Sequence, residues 1–447
     1  MQSSTMPAVC QPKAVAAALS AALDDAAELR SYLPAGLDLE GTARAMGALC
    51  RRREVRSAFD LLRLCLAYAV CEESLRDVAA WFSLRDLGHL SKPAVRKRLC
   101  HCVHWLGHLL ATLLRIRACD AGAFRGVRVR LMDATVVSRP GSRGTDWRVH
   151  LSLDLGQGCL DGIEVTDAHG AETLVRFPVQ PGEIRVGDRG YAYARGLGPV
   201  LQAEGQVVVR MNWQNLRLET EEGQRVDVAR WLCKAFDPSS TVSQEQAAWL
   251  PTPQGRFAMR MIAQPLEPEQ AEAARCRARQ RANDKRHAVD PRTLLAAGFV
   301  LILTNLPAER WSAAQALALY RLRWQIEIHI KRLKSLLGLD NLRAKDTELA
   351  QAYLLSKLLG ALLVEGLIHQ VRTAQPDWWT DAQQPVNLGR LTQLAWLVLA
   401  HAIAGTLTRS MILDRLRDLR RSLCDEPRKR LPQWLVGQSF LQEQSGC

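Results

Sequence analysis

The chain has 447 residues, 48% of them apolar and 23% charged. That composition excludes wholesale disorder, and the length buries a core without disulfide staples. Lysine plus arginine is 59 against 46 acidic residues, a net charge of +13 that favours a polyanionic partner. Arginines outnumber lysines 49 to 10, which suits phosphate recognition and is equally what a GC-rich coding bias produces.

In chain order, Ala14–Leu23 imitates the core of a signal peptide. It is rich in alanine, only Lys13 precedes it and Asp24-Asp25 follow, so no secretory signal is expected. Residues 1–120 read as helical, with apolar residues at helical spacing in Ser57–Tyr68 and Ser74–Phe82. Ser91-Lys92-Pro93 is a helix start, and the helix is expected to run to about Arg115. The segments on either side of Ser83–Leu90 read as a helix-turn-helix opened by Lys92, Arg96, Lys97 and Arg98, or as a plain helical hairpin with a solvated basic face.

Residues 127–211 change to period-2 alternation. Strands are expected at Val127–Met132, Arg148–Leu155, Leu160–Thr166, Glu183–Gly187 and Gln206–Met211, with helices at Ala171–Phe177 and Gly196–Ala203. This is an α/β order. Residues 212–298 read as an insertion, with strands at Trp213–Val228 and Phe257–Ala263 and a basic helix at Glu272–His287, read mainly as a solvated face. Phe299–Thr304 is a further strand, and the chain is helical from Ser312 almost to its end. The apolar run Tyr353–Ile368 is broken by Lys357 and Glu365, so no membrane span is expected. Twelve cysteines without a CxxC pair point to a reduced, cytoplasmic protein.

Two carboxylates occupy equivalent places. Asp133 continues the inward face of Val127, Val129 and Leu131 at a strand's end, and Asp188 continues that of Ile184 and Val186. An acid on an apolar face is costly unless it meets a cation, and two such ends together suit a hard divalent ion. Each Asp equally well begins a turn. Asp154, Asp161 and Asp167 read as turn or solvent residues. On the helix Ala314–Leu337, 100° per residue places Tyr320, Arg323, Glu327 and Lys334 on one stripe beside an apolar face. That stripe serves a metal ligand flanked by phosphate contacts, or an ordinary amphipathic helix with an Arg323–Glu327 ion pair. Cys100, His104 and His108 recur every four residues, which favours helix packing over zinc because a fourth ligand is missing. No Walker loop, GxSxG or GxGxxG is present.

Tyr320-x2-Arg323-x3-Glu327-x6-Lys334 matches the Tyr-Arg-Glu-Lys signature of a large family of bacterial insertion-sequence DDE transposases. Asp133-Ala134-Thr135 resembles that family's first catalytic motif, and Gly187-Asp188-Arg189-Gly190-Tyr191 its second. The resemblance covers about residues 127–340. It implies an RNase H-like catalytic core with a mostly β insertion, flanked by helical regions. The expected division is a helical DNA-binding region at 1–120, the first part of the core at 121–211, the insertion at 212–298, the last core strand and catalytic helix at 299–345, and a helical region at 346–447.

The resemblance further implies metal-dependent phosphoryl transfer. Asp133, Asp188 and Glu327 would hold two Mg²⁺ ions, with Mn²⁺ as a substitute, and Tyr320, Arg323 and Lys334 would contact DNA. The implied partners are double-stranded DNA with terminal inverted repeats and target DNA. A homodimer is expected in the complex, assembled by the N-terminal helices and the basic segment Arg415–Arg430. Two alternatives stand beside this reading: a metal-dependent nuclease on the same core without strand transfer, and a catalytically silent DNA-binding protein. Better-studied members carry a Trp before the last core strand that helps hold a flipped base. Here the region reads Gly298-Phe299-Val300, leaving Phe299, Trp213 and Trp311 as candidates.

Overall fold

The structure is a computed structural model that describes residues 25–405 apart from 52, 86, 121–126 and 238–239. The signal-like stretch Ala14–Leu23 and the basic segment Arg415–Arg430 lie outside the described residues. The chain divides into two compact units, one built around residues 143–331 and preceded by 117–138, the other around residues 25–116 and 332–405 with 139–142.

The first of these units is organised by one mixed sheet of eight strands in the order β3-β2-β1-β4-β5-β8-β7-β6. The strands are β1 Val129–Val137, β2 Trp147–Asp154, β3 Cys159–Asp167, β4 Ile184–Gly187, β5 Gln206–Arg210, β6 Gln244–Thr252, β7 Gly255–Pro265 and β8 Phe299–Thr304. The first three form an antiparallel meander, and β4 and β5 then join parallel to β1. The helix Ala194–Gln202 crosses from β4 to β5. β8 runs antiparallel to β5 and carries the long β7–β6 hairpin on its other edge.

Alternation along β1 and β4 sorts the two faces of the sheet. On one face Val129, Leu131, Ile184 and Val186 are buried. On the other, Arg130 and Arg185 are register partners and are themselves buried. The Arg185 guanidinium pairs with Glu183 and donates to the carbonyls of Leu174, Phe177 (2.9 Å) and Pro178 (2.5 Å). This corrects the helix expected over Ala171–Phe177. The segment is a chain of turns: Pro178 directly after it has no N–H to carry a helix on, and the Leu174 and Phe177 carbonyls accept from the buried Arg185 instead. The solvent reading of Asp154 and Asp161 is corrected too, although Asp154 does hold the expected turn by accepting from the Gln157 N–H at 3.0 Å. Both are buried in ion pairs, Asp154 with Arg128 at 3.2 Å and Asp161 with Arg128 and Arg130 at 2.8 Å.

The insertion carries the β6–β7 hairpin together with the helices Val228–Ala235, Pro268–Asp284 and Pro291–Ala297. The strand expected over Trp213–Val228 is instead turns with an isolated bridge between Glu219 and Arg225, and the Asp227 side chain caps the helix that follows.

The other unit is helical. Ser57, Ser74 and Ser91 cap Ala58–Ala69, Leu75–Leu84 and Lys92–His101 as their sequence positions imply, Ser74 through a capping box with Asp77. The helix expected from Pro93 to Arg115 is broken at Cys102, where the axis bends by 51°. Thr347–Ala374 is long and apolar enough to cross a bilayer, but 78% of its most apolar window is buried inside the protein. Its Lys357 is buried and donates to Glu72 at 2.6 Å and to the Leu337 carbonyl at 2.8 Å.

Candidate active site

The parallel register of β1 and β4 pairs Leu131 with Val186. Asp133 and Asp188 each stand two residues further on, so they occupy equivalent positions on neighbouring strands. Asp133 lies within its strand rather than at its end, since β1 continues to Val137. β4 stops at Gly187, and Asp188 caps the short 3₁₀ turn Arg189–Tyr191 by accepting from the Gly190 N–H at 2.7 Å. Gly187 is required there: a Cβ would stand 2.9 Å from the Tyr191 Cβ, which packs back over the strand end.

The third carboxylate arrives on the signature helices. Asn305 ties the end of β8 to the start of β5, accepting from the Val207 N–H at 2.8 Å and donating to the Gly205 carbonyl at 3.1 Å. Ser312 and Gln315 then form a capping box that starts the helix Ala313–Arg321. The single helix expected over Ala314–Leu337 is two, with a second at Trp324–Ser335. Between them the backbone tightens to i→i−3 bonds, Arg323 N to Tyr320 O at 3.1 Å and Ile326 N to Arg323 O at 3.1 Å. This tightened turn carries Arg323 inward. Its guanidinium reaches Asp133 at 3.5 Å, pairs with Glu327 and lies 5.8 Å from the centre of the Tyr320 ring.

Tyr320, Arg323, Glu327 and Asp133 are therefore linked through one arginine. Lys334 is half-buried in the last turn of the same helix, about 10 Å along it from Glu327 at 1.5 Å per residue. Burial raises the Asp133 pKa to about 6, with Asp188 and Glu327 adding to the rise and the Ala134 N–H and Arg323 opposing it. Asp133 thus feels the charge of both other carboxylates.

Among the described residues no group of three His, Cys, Asp or Glu side chains stands ready to hold an ion, so Cys100, His104 and His108 form no zinc site. Asp133 and Glu327 instead share Arg323 as their counter-ion. The donors are all carboxylate oxygens, and two of them, Asp133 and Glu327, already meet on one cation, which is chemistry that fits a hard divalent metal.

Residues 125–363 match the family model described as a transposase DDE domain. Over 339 residues, covering 74% of this chain and 90% of the relative, the sequence is 41% identical to the putative transposase InsL for insertion sequence element IS186A of Escherichia coli strain K12. The chain belongs to the DDE transposases of bacterial insertion sequences. The transposase for IS421 of Escherichia coli is likewise 41% identical over 340 residues, and that for IS231F of Bacillus thuringiensis subsp. israelensis is 24% identical over 387, covering 77% of this chain and 80% of the relative.

For this transposase the match implies an RNase H-like core within residues 125–363, and the family uses divalent metal ions in acting on DNA. Other residues around the site gave no signal in the sequence. Glu172 lies in the misread segment yet approaches Asp188, and burial raises its pKa. Tyr191 is buried against the same carboxylates, and burial raises its hydroxyl pKa well above the usual range. Of the three aromatic candidates, Trp311 is fully buried and Phe299 packs on Phe236 at 4.9 Å, whereas Trp213 lines the groove that begins at Asp188.

Proposed function

We propose that Asp133, Asp188 and Glu327 are the catalytic carboxylates of this transposase and hold its divalent ions, Mg²⁺ with Mn²⁺ as a substitute. The observation that supports this is the bridging of Asp133 on β1 and Glu327 on the helix Trp324–Ser335 by Arg323, with Asp188 directly after the neighbouring strand β4 and adding its charge at Asp133. The bound ions supply activation of the attacking oxygen and stabilisation of the leaving oxygen in an in-line displacement at phosphorus.

The chain's own residues do the rest. Asp133 sits on β1 and Asp188 directly after β4, each two residues beyond the register pair Leu131–Val186, so the sheet brings them near one another before any ligand arrives. Arg323 is the partner these carboxylates have here; with a divalent ion held by them, its guanidinium would be available to a DNA phosphate, with the Tyr320 ring alongside to hold its plane. Lys334 contacts a phosphate a few nucleotides from the cleaved bond. Trp213, which lines the groove beside Asp188, is the candidate to take an unstacked base.

The reaction cleaves the element's inverted-repeat ends and joins the 3′ ends to target DNA, within a homodimer in the DNA complex and in the cytoplasm. Glu327→Gln removes a ligand charge while leaving the cations in place. It is expected to abolish cleavage of repeat-bearing DNA while keeping its affinity; retained cleavage removes Glu327 from the site.

A further inference from the structure

A groove of about 560 Å³ opens beside Asp188 within the sheet-based unit. Its walls include Arg189, Arg210, Arg277, Arg281 and Lys285, and Arg323 stands at its inner end. Among the described residues none of the first five has an ion pair or side-chain hydrogen bond, and the Arg210 Nε is buried without a partner. The other acid on the wall, Asp290, is committed to capping its helix and to Arg292 at 3.2 Å. Burial, with the like charges of Arg210 and Arg281, lowers the Arg189 pKa against the opposing effect of Tyr320 and Asp188, so these cations crowd one another.

The helix Pro268–Asp284 shows that this crowding is sorted. Arg275 and Arg279 pair with Glu272 at 3.5 and 2.8 Å. Arg277, Arg281 and Lys285 recur every four residues and therefore fall on the opposite face, the one that lines the groove. On one face the arginines pair with Glu272, and on the other no ion pair forms among the described residues. A merely solvated basic helix has no reason to make that distinction.

We infer that this groove holds the phosphates of one DNA strand leaving the cleavage position at Asp188, with Arg277, Arg281 and Lys285 as successive contacts. The inference rests on the assignment of Asp188 to the active site. The three residues span about 12 Å of helix at 1.5 Å per residue, which matches about three to four phosphates of a strand. Arg189 and Arg210 on the facing wall close the path from the strand ends of the sheet.

The test is a salt series of binding by the full chain to a labelled duplex carrying the element's own terminal repeat. Removing Arg277, Arg281 and Lys285 together as alanines is expected to lower the slope of log affinity against log salt by roughly two to three, and Arg281→Ala alone by about 0.7–0.9. Arg277→Lys with Arg281→Lys keeps the charges and the slope. Arg275→Ala with Arg279→Ala, on the acid-balanced face, is expected to leave the slope unchanged. An unchanged slope in both the triple and the single variant overturns the inference, as does an equal fall in the Arg275/Arg279 pair. Metal-dependent cleavage by the wild type, with Asp188→Asn inactive, is scored in parallel. If cleavage behaves so and the slopes do not change, the groove is wrong and the active site stands. If the slopes change and Asp188→Asn still cleaves, the groove binds DNA and the active-site assignment fails.

Discussion

Asp133→Asn is expected to make the metal-free protein more stable at neutral pH, although it removes a proposed catalytic carboxylate. The Asp133 carboxyl is about four-fifths buried, and its pKa rises from an ordinary 3.8 to about 6 mainly for that reason. A shift of that size corresponds to about 3 kcal/mol disfavouring the ionised form in the folded state. The folded pKa lies above the unfolded one, so below pH 3.8 both states are protonated and the penalty is absent. Between pH 3.8 and about 6 the unfolded chain ionises first and folded stability falls; above pH 6 the loss is complete. Asparagine is a permanently neutral isostere and escapes the loss. Urea unfolding in EDTA is therefore expected to show a gain for Asp133→Asn that is close to zero near pH 4 and reaches about 3 kcal/mol by pH 8. Divalent metal should reverse the order: an ion at one hundred times its Kd returns about 2.7 kcal/mol to the wild type and little to the variant. An Asp133→Asn protein less stable than wild type at pH 8 in EDTA would refute the reasoning, since it would mean that the Arg323 contact outweighs burial.

Lys334→Ala is expected to weaken binding to terminal-repeat DNA and to lower its salt slope by roughly one, with metal affinity almost unchanged; identical slopes would leave Lys334 a structural residue of its helix. Arg185→Leu is expected to cost about 3–5 kcal/mol in urea unfolding, because it strands the buried Glu183 and frees the carbonyls of Leu174, Phe177 and Pro178. A cost below about 1 kcal/mol would show that water replaces the guanidinium there.

Alternation made the centre of the fold legible. Val129 and Leu131 before Asp133, and Ile184 and Val186 before Asp188, have one arrangement in a half-buried sheet, and the register brings the two acids to equivalent positions. Helix starts were legible for a similarly local reason, since Ser57, Ser74 and Ser91 cap the residues directly after them. Misreadings came where a distant partner decides the local structure. Ala171–Phe177 has helical composition, but Arg185 claims its carbonyls from a strand that the local pattern cannot see. Asp154 looked solvent-facing by alternation, yet Arg128 buries it. The tightening at Leu322–Arg323 is another case: a continuous apolar period predicts one helix, while the structure turns Arg323 toward an acid on β1, almost two hundred residues earlier. The groove-lining arginines were visible as a charge run, but the division of that run into balanced and unbalanced faces needed the positions of Glu272 and of the sheet.

The most direct test of the central claim is incubation of the full-length protein with DNA carrying the repeats that flank its reading frame, with and without Mg²⁺, resolving nicks, hairpins and joined products. The wild type is expected to give 3′-end cleavage and joined products only with Mg²⁺, and Asp133→Asn, Asp188→Asn and Glu327→Gln are each expected to bind the DNA and give neither. Cleavage without a divalent ion, or by any of the three variants at the wild-type rate, would contradict the account.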